Sequence, residues 1–348
     1  MASAATQRFA ARLLLSLPAP ILRTLAGGGV VYRGGRTLDP RLQFLAASTA
    51  RAPAMTTLSP QEARRANDQG LAALTARPEP GVRIEALTLP GPEGAIPARA
   101  YRPSVQDPDA PVLVYAHMGG GVIGGLDTCE AFCSILACCG RTAVVSVDYR
   151  LAPEHRFPAG LEDVLAAYRW ARDNAPRFGA PEGRVAIGGD SMGGNFAAII
   201  AQEMKRLGEP QPALQLLIYP ATDLTSESQS MTTYADAYPL SRQTMEWFIG
   251  HYLPPDAAPT DPRASPLLEQ DLAGLAPAVV VTAGFDPLND QGEAYAKHLK
   301  DAGVPVVFRC YDSLAHAFTA FTGAVPCADV ACREIAGLVR EGFEGRIH

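Results

Sequence analysis

Hydrophobic positions along the chain fall into two patterns. The first is the short, continuously apolar run: Pro111–Ala116, Ala143–Val147, Val185–Gly188, Leu214–Tyr219, Val279–Ala283 and Pro305–Cys310. Runs this short, rich in branched aliphatic residues, predict strands buried on both faces. Ahead of them, Val82–Leu89 and Ala98–Tyr101 read as a hairpin joined across Gly91-Pro92-Glu93-Gly94, turn formers between two β-prone segments. The second pattern is helical spacing over roughly 10–20 residues between most of the strands. This alternation after an opening hairpin predicts an α/β fold, a mostly parallel central sheet of about eight strands with helices on both faces.

Two regions stand outside the alternation. Before the hairpin, Leu38-Asp39-Pro40 starts one helix, and Leu58-Ser59-Pro60-Gln61-Glu62 starts a second with a capping signal and a proline in the first turn. Both precede any predicted strand, so they are expected to lie over the sheet. Between Pro220 and Pro277 no strand is predicted, and Ser226–Tyr252 reads as mostly helical, carrying Trp247, Phe248 and Tyr252. It is expected to cover the C-terminal edge of the sheet, where doubly wound folds place their sites. Residues 1–36 interleave Arg8, Arg12 and Arg23 with Leu13-Leu14-Leu15 and Ile21-Leu22, and no acid appears before Asp39. A signal or transit peptide has some of these features. Pro18 and Pro20 and the lack of a small-residue cleavage site favour an amphipathic helix on the body, or weakly on a membrane surface.

Composition narrows the class. Hydrophobic residues make up 47% and charged residues 19%, ordinary for a globular protein. The net charge of −6 argues against nucleic acid or an anionic membrane surface as partner. No apolar run approaches the ~18 residues of a transmembrane span. Seven cysteines, odd in number and without a regular framework, predict reduced thiols and a cytoplasmic setting. Cys129, Cys133, Cys138 and Cys139 lack the paired spacing of a zinc site. With Phe132 and Leu136, the first two fit one buried helix face.

The candidate chemistry centres on Gly188-Gly189-Asp190-Ser191-Met192-Gly193-Gly194, between a predicted strand and a predicted helix. This is the context of a G-x-S-x-G nucleophile elbow, in which Gly189 and Gly193 leave room where a Cβ would clash. An acyl-transfer site built on Ser191 needs a base, an orienting acid and an oxyanion hole, in the chain order serine, acid, histidine. His316, in the loop after the last predicted strand, is the candidate base. His117, His155, His251, His298 and His348 compete without that position. Asp286, directly after a strand, is the candidate acid. Asp290 reads as a helix cap, and Asp312 lies in a loop of its own. His117-Met118-Gly119-Gly120-Gly121 offers backbone donors, with the Met192 amide as a further one. The residues alone leave open whether Gly119 and Gly120 or Gly120 and Gly121 are the pair.

Six segments together resemble the hormone-sensitive-lipase-like branch of the α/β-hydrolases, the bacterial carboxylesterases. They are H-M-G-G-G-V-I-G from His117, D-Y-R-L-A-P-E-H over Asp148–His155, G-D-S-M-G-G-N from Gly189, Y-P-A-T-D-L over Tyr219–Leu224, D-P-L-N-D-Q-G over Asp286–Gly292, and L-A-H-A-F from Leu314. The resemblance implies an α/β-hydrolase fold with a helical cap. Residues 1–76 would contribute to the cap, 222–260 would be its insertion, and 77–221 with 261–348 would form the main domain. It implies Ser191, His316 and Asp286 as the catalytic set, with Gly119, Gly120 and Met192 as oxyanion donors. Asp148, Arg150 and Glu154 are architectural in this reading. It implies short-to-medium acyl esters as small-molecule substrates, no metal and no organic cofactor, and leaves a homodimer open. Amide or lactone chemistry on the same residues, or a ligand-binding protein without catalysis, are the alternatives. Met118, Gly121, Met192, Asn289, Gln291 and Ala317 depart from the usual pattern. Gly121 stands where relatives carry an aromatic, which predicts a wider site with a freer oxyanion loop.

Overall fold

The computed structural model describes residues 11–347; Arg8 and His348 lie outside them. One sheet holds β1 (Val82–Gly91), β2 (Gly94–Pro103), β3 (Val112–Ala116), β4 (Val144–Val147), β5 (Val185–Asp190), β6 (Gln215–Ile218), β7 (Ala278–Phe285) and β8 (Val306–Ala315). Their spatial order is β8-β7-β6-β5-β3-β4-β2-β1. The β1–β2 and β2–β4 pairs are antiparallel, and every other neighbouring pair is parallel. Strands β3 to β7 are buried at every residue. Covering a parallel sheet on both faces demands this, and it is why these strands read as unbroken apolar runs.

The α-helices lying wholly among the described residues are α1 (Ala19–Leu25), α2 (Pro40–Thr49), α3 (Pro60–Leu74), α4 (Glu130–Gly140), α5 (Ala159–Asp173), α6 (Met192–Leu207), α7 (Gln229–Thr233), α8 (Arg242–Tyr252), α9 (Asn289–Asp301) and α10 (Pro326–Phe343), and residues 11–15 are helical as well. One sheet face packs on α4 and α10, and the other on α5, α6 and α9. Cys129 occupies the N-cap position of α4 without a side-chain capping bond, and Cys133 lies on the buried face of that helix, both as free thiols. Asp39 caps α2 by accepting from the Arg41 amide at 2.7 Å. Ser59 and Glu62 close a reciprocal capping box on α3, as their spacing predicts.

The region before the hairpin is not wholly helical. Tyr32–Arg33 and Arg36–Thr37 pair as a small antiparallel ribbon, too short for any period to register in the sequence. The segment around Asp312 is also corrected. Strand β8 continues past Cys310 to Ala315, with a register break between Tyr311 and Ala315, so Asp312 sits on the strand. There it pairs with Arg36 at 2.9 Å. Among the described residues, no helix is long and apolar enough to cross a membrane.

Candidate active site

Parallel strands end along one edge of a sheet, so the residues that follow them are neighbours. His117 follows β3, Ser191 follows β5, Asp286 follows β7 and His316 follows β8. Ser191 has φ +56° and ψ −115°, a conformation that L residues avoid and that a sharp strand-to-helix turn imposes. A Cβ on Gly189 would stand 2.3 Å from the Gly193 carbonyl carbon, and one on Gly193 would stand 2.0 Å from the Ala116 oxygen. Only glycine fits at either place. The turn is held by the Ser191 amide, which donates to Ile218 O at 2.9 Å, and it places Ser191 at the N-terminus of α6.

Ser191 Oγ lies 2.9 Å from His316 Nε2, and His316 Nδ1 lies 2.7 Å from Asp286 Oδ2. A carboxylate only accepts, so the Nδ1 proton faces Asp286 and Nε2 presents its lone pair to the serine hydroxyl. The other Asp286 oxygen accepts from the Leu288 amide at 2.8 Å. The aspartate is fully buried, while Ser191 and His316 keep slight exposure. Below them, Asp190 accepts from Tyr219 Oη at 3.0 Å and from Thr319 Oγ1 at 2.8 Å. Burial pushes the Asp190 carboxyl above its usual range, even though the two hydroxyls act in the opposite direction. The Tyr219 ring lies 4.6 Å from the His316 ring, centre to centre. Of the other described histidines, His155 and His298 are exposed and His251 lies on α8. His117 is fully buried, its pKa pushed down to about 4 by that burial.

Residues 117–124 form a loop of positive-φ glycines beside Ser191. Among the described residues, the Gly119, Gly120 and Gly121 amides donate to no acceptor in the chain, and of the three glycines only Gly119 and Gly120 line the cavity above Ser191. The Met192 amide opens α6, where the first N–H groups have no intrahelical partner. Three contacts fix the loop from behind. Tyr149 Oη donates to His117 O at 2.8 Å, the Ala152 amide donates to Gly121 O at 2.8 Å, and Arg64 Nε donates to Val122 O at 2.8 Å. Arg64 also donates to Ala152 O at 2.8 Å and holds both Glu154 oxygens, at 3.0 and 2.6 Å. Sequence reasoning missed Arg64, because nothing local on α3 signals a partner 58 residues away.

Gly121 does not face the cleft. A Cβ there would lie 2.7 Å from the Tyr252 ring, and one on Gly120 would lie 2.4 Å from the Phe248 ring. Aromatics supplied by α8 pack on this loop, which corrects the expectation of a loose, widened site. Asp290 is also reassigned. Its carboxylate accepts from the Ser230 amide at 2.7 Å, capping α7 rather than its own helix. Ala317 has φ +62°, which explains why a glycine would suit the position after the histidine.

Above Ser191 and His316 lies a cavity of about 480 Å³. Leu45 of α2 and Leu71 of α3 line one side, and Tyr238 and Phe248 of the segment before and within α8 line the other. No Asp, Glu, Lys or Arg among the described residues contributes to the lining.

A family pattern described as alpha/beta hydrolase fold matches residues 113–320. The chain is 44% identical over 316 residues to the carboxylic ester hydrolase LipN of Mycobacterium tuberculosis, covering 88% of this chain and 84% of that one. It is 38% identical over 279 residues to the ethyl acetate hydrolase of Pseudomonas putida, covering 79% and 88%. A solved ester hydrolase from the metagenome of Lake Arreo, complexed with a bipyridine phosphonate derivative, superposes with a TM-score of 0.84 at 41% identity, over 88% of this chain and 99% of that one.

Proposed function

The chain belongs to the α/β-hydrolase family, in its hormone-sensitive-lipase-like branch, and from that premise we propose a serine carboxylesterase acting on neutral short-to-medium acyl esters. Ser191 Oγ attacks the ester carbonyl while His316 Nε2 takes its proton. Asp286 keeps the imidazole in the required tautomer and stabilises the imidazolium. The Gly119, Gly120 and Met192 amides receive the charge that develops on the carbonyl oxygen. Collapse transfers the proton from His316 to the leaving alcohol, and water repeats the two steps on the acyl-enzyme.

The observation that carries this reading is the Ser191–His316–Asp286 hydrogen-bond chain at 2.9 and 2.7 Å. The charge-free lining supports neutral substrates, because an unpaired charge is costly to bury. The test is turnover of a panel of p-nitrophenyl esters, lactones and anilides, combined with labelling by an organophosphonate. We expect ester turnover, a single adduct on Ser191, and a fall in kcat on the order of 10⁴-fold or more in a folded Ser191→Ala variant. Near wild-type turnover by that variant overturns the assignment. Preferential turnover of lactones or anilides would move the reading to those substrates.

A further inference from the structure

Ten large hydrophobic side chains are exposed among the described residues, and six of them, Leu13, Leu14, Ile21, Leu25, Val30 and Tyr32, fall within residues 13–32. Leu15 and Leu22 of the same segment are buried, 2% and 0% exposed. Arg41 Nε donates to Leu15 O at 2.9 Å, and α1 packs on α2. The segment is therefore anchored on the body by one apolar face and offers solvent a second. An ordinary surface helix carries polar residues there, and exposed apolar side chains concentrated in one short segment point to a contact surface.

Charge identifies what the patch fits. Residues 1–38 contain five arginines and no acid, so against a whole-chain charge of −6 the remainder carries −11. The negative average thus conceals a basic end. Arg33 and Arg36 are paired with Asp236 and Asp312 on the body. Arg12 and Arg23 form no ion pair among the described residues; Arg12 is exposed, and Arg23 is half-buried with its Nε enclosed and unpartnered. An isologous contact between two copies would set these arginines against each other. A heterologous one would need an apolar counterpart, and only four large hydrophobics are exposed elsewhere, at Ile84, Val105, Leu207 and Val330, scattered along the chain. An anionic lipid surface supplies both properties at once.

We propose that residues 11–32 dock this protein reversibly on an anionic phospholipid surface, with Leu13, Leu14, Ile21 and Leu25 entering the headgroup boundary beside Arg12 and Arg23. Helix α2, on which this segment packs, contributes Leu45 and Thr49 to the cavity. The docking face thus lies one helix from the space above Ser191. An apolar ester dissolved in the lipid would have a short path to it.

Flotation of the full chain with vesicles tests the proposal and reads no turnover, so its result is independent of the assigned chemistry. One vesicle set is pure phosphatidylcholine, and the other is equal parts phosphatidylcholine and phosphatidylglycerol. Binding is expected to the second set only, weakening as salt screens the arginines. Leu13→Glu combined with Ile21→Glu should lower the partition coefficient by about tenfold or more, as should Arg12→Glu combined with Arg23→Glu in direction. Leu13 and Ile21 lie outside the cavity lining, so hydrolysis of soluble p-nitrophenyl acetate and the melting temperature of the first variant should match wild type. Equal partition of wild type into both vesicle sets, absence of binding to either, or unchanged binding by the leucine–isoleucine variant overturns the proposal. So does a solution dimer that this variant dissociates without any vesicle binding, which would assign the patch to a second copy.

Discussion

At the scale of single residues, two aspartates four positions apart do different work because of what their oxygens reach. Asp286 touches His316, and Asp290 touches the Ser230 amide of α7. Asp286→Asn presents an amide that can leave the imidazole in the wrong tautomer, so kcat should fall by about 10⁴-fold with little change in stability. Asp290→Asn keeps an acceptor for the Ser230 amide and should cost roughly 1 kcal/mol or less, with kcat nearly intact. Kinetics and thermal melts of both variants check the ranking; its reversal would exchange their roles. The glycine loop gives a second contrast. Gly121→Phe places a side chain against Tyr252 at a φ of +70°. It should lower stability by about 1–3 kcal/mol and reduce turnover of small and bulky esters alike. Gly119→Ala drives a Cβ to 2.1 Å from the Ile123 oxygen, displacing a proposed oxyanion donor. Its kcat should fall by about 10²–10³-fold. Selective loss of bulky esters in Gly121→Phe would mean that position 121 faces the cleft after all.

At the scale of elements, α3 is joined to the glycine loop at residues 117–124 through one guanidinium. Arg64 holds the carbonyls of Val122 and Ala152 and the carboxylate of Glu154. Gln61, one turn earlier, donates to Glu154 at 2.7 Å. The Arg64 hydrogen bonds hold the Glu154 carboxyl down at about 2, below its ordinary 4.5. A depressed carboxylate stabilises the fold above its unfolded pKa, and that stability is lost as pH falls through its folded pKa. The stability difference between wild type and Glu154→Gln should therefore be constant above about pH 5 and shrink between about pH 4.5 and 2. The carboxylate is 40% exposed, so solvent screening holds the full difference to roughly 1 kcal/mol or less. Denaturant titrations of both proteins across that range check it, and a difference that grows on acidification would contradict the pairing. Arg64→Met, which also releases two carbonyls, should lower kcat more than Glu154→Gln does.

At the scale of the whole molecule, the cavity exists only because separate regions close over the strand ends. Residues from α2, α3, the segment around Tyr238 and α8 meet above Ser191 without one charged side chain among the described residues. A substrate that brings its own charge must bury it unpaired, at a cost of several kcal/mol. Replacing p-nitrophenyl butyrate by p-nitrophenyl hemisuccinate should thus lower kcat/KM by on the order of 10²-fold or more. Measuring both esters side by side decides this, and equal rates would mean that the charged end remains in water.

The strands, their order of appearance and the fold class were legible from local pattern, because a strand buried on both faces can only be an apolar run. The elbow was legible too, since its glycines are demanded by contacts within a few residues and with the adjacent strand. The meeting of Ser191, Asp286 and His316 was an expectation from chain order and family resemblance. Their distances arise from strands whose sequence separation says nothing about adjacency in a sheet. Tertiary structure alone decided the rest. Tyr252 fills the place beside Gly121, Arg64 reaches across 58 residues to Val122, and Asp290 caps a helix other than its own. Each depends on a partner distant in the chain, and side-chain periodicity carries no information about such partners. The exposed apolar face of residues 13–32 belongs here as well. The sequence shows a basic, leucine-rich segment, but only its packing through Leu15 and Leu22 settles which side chains are left facing solvent.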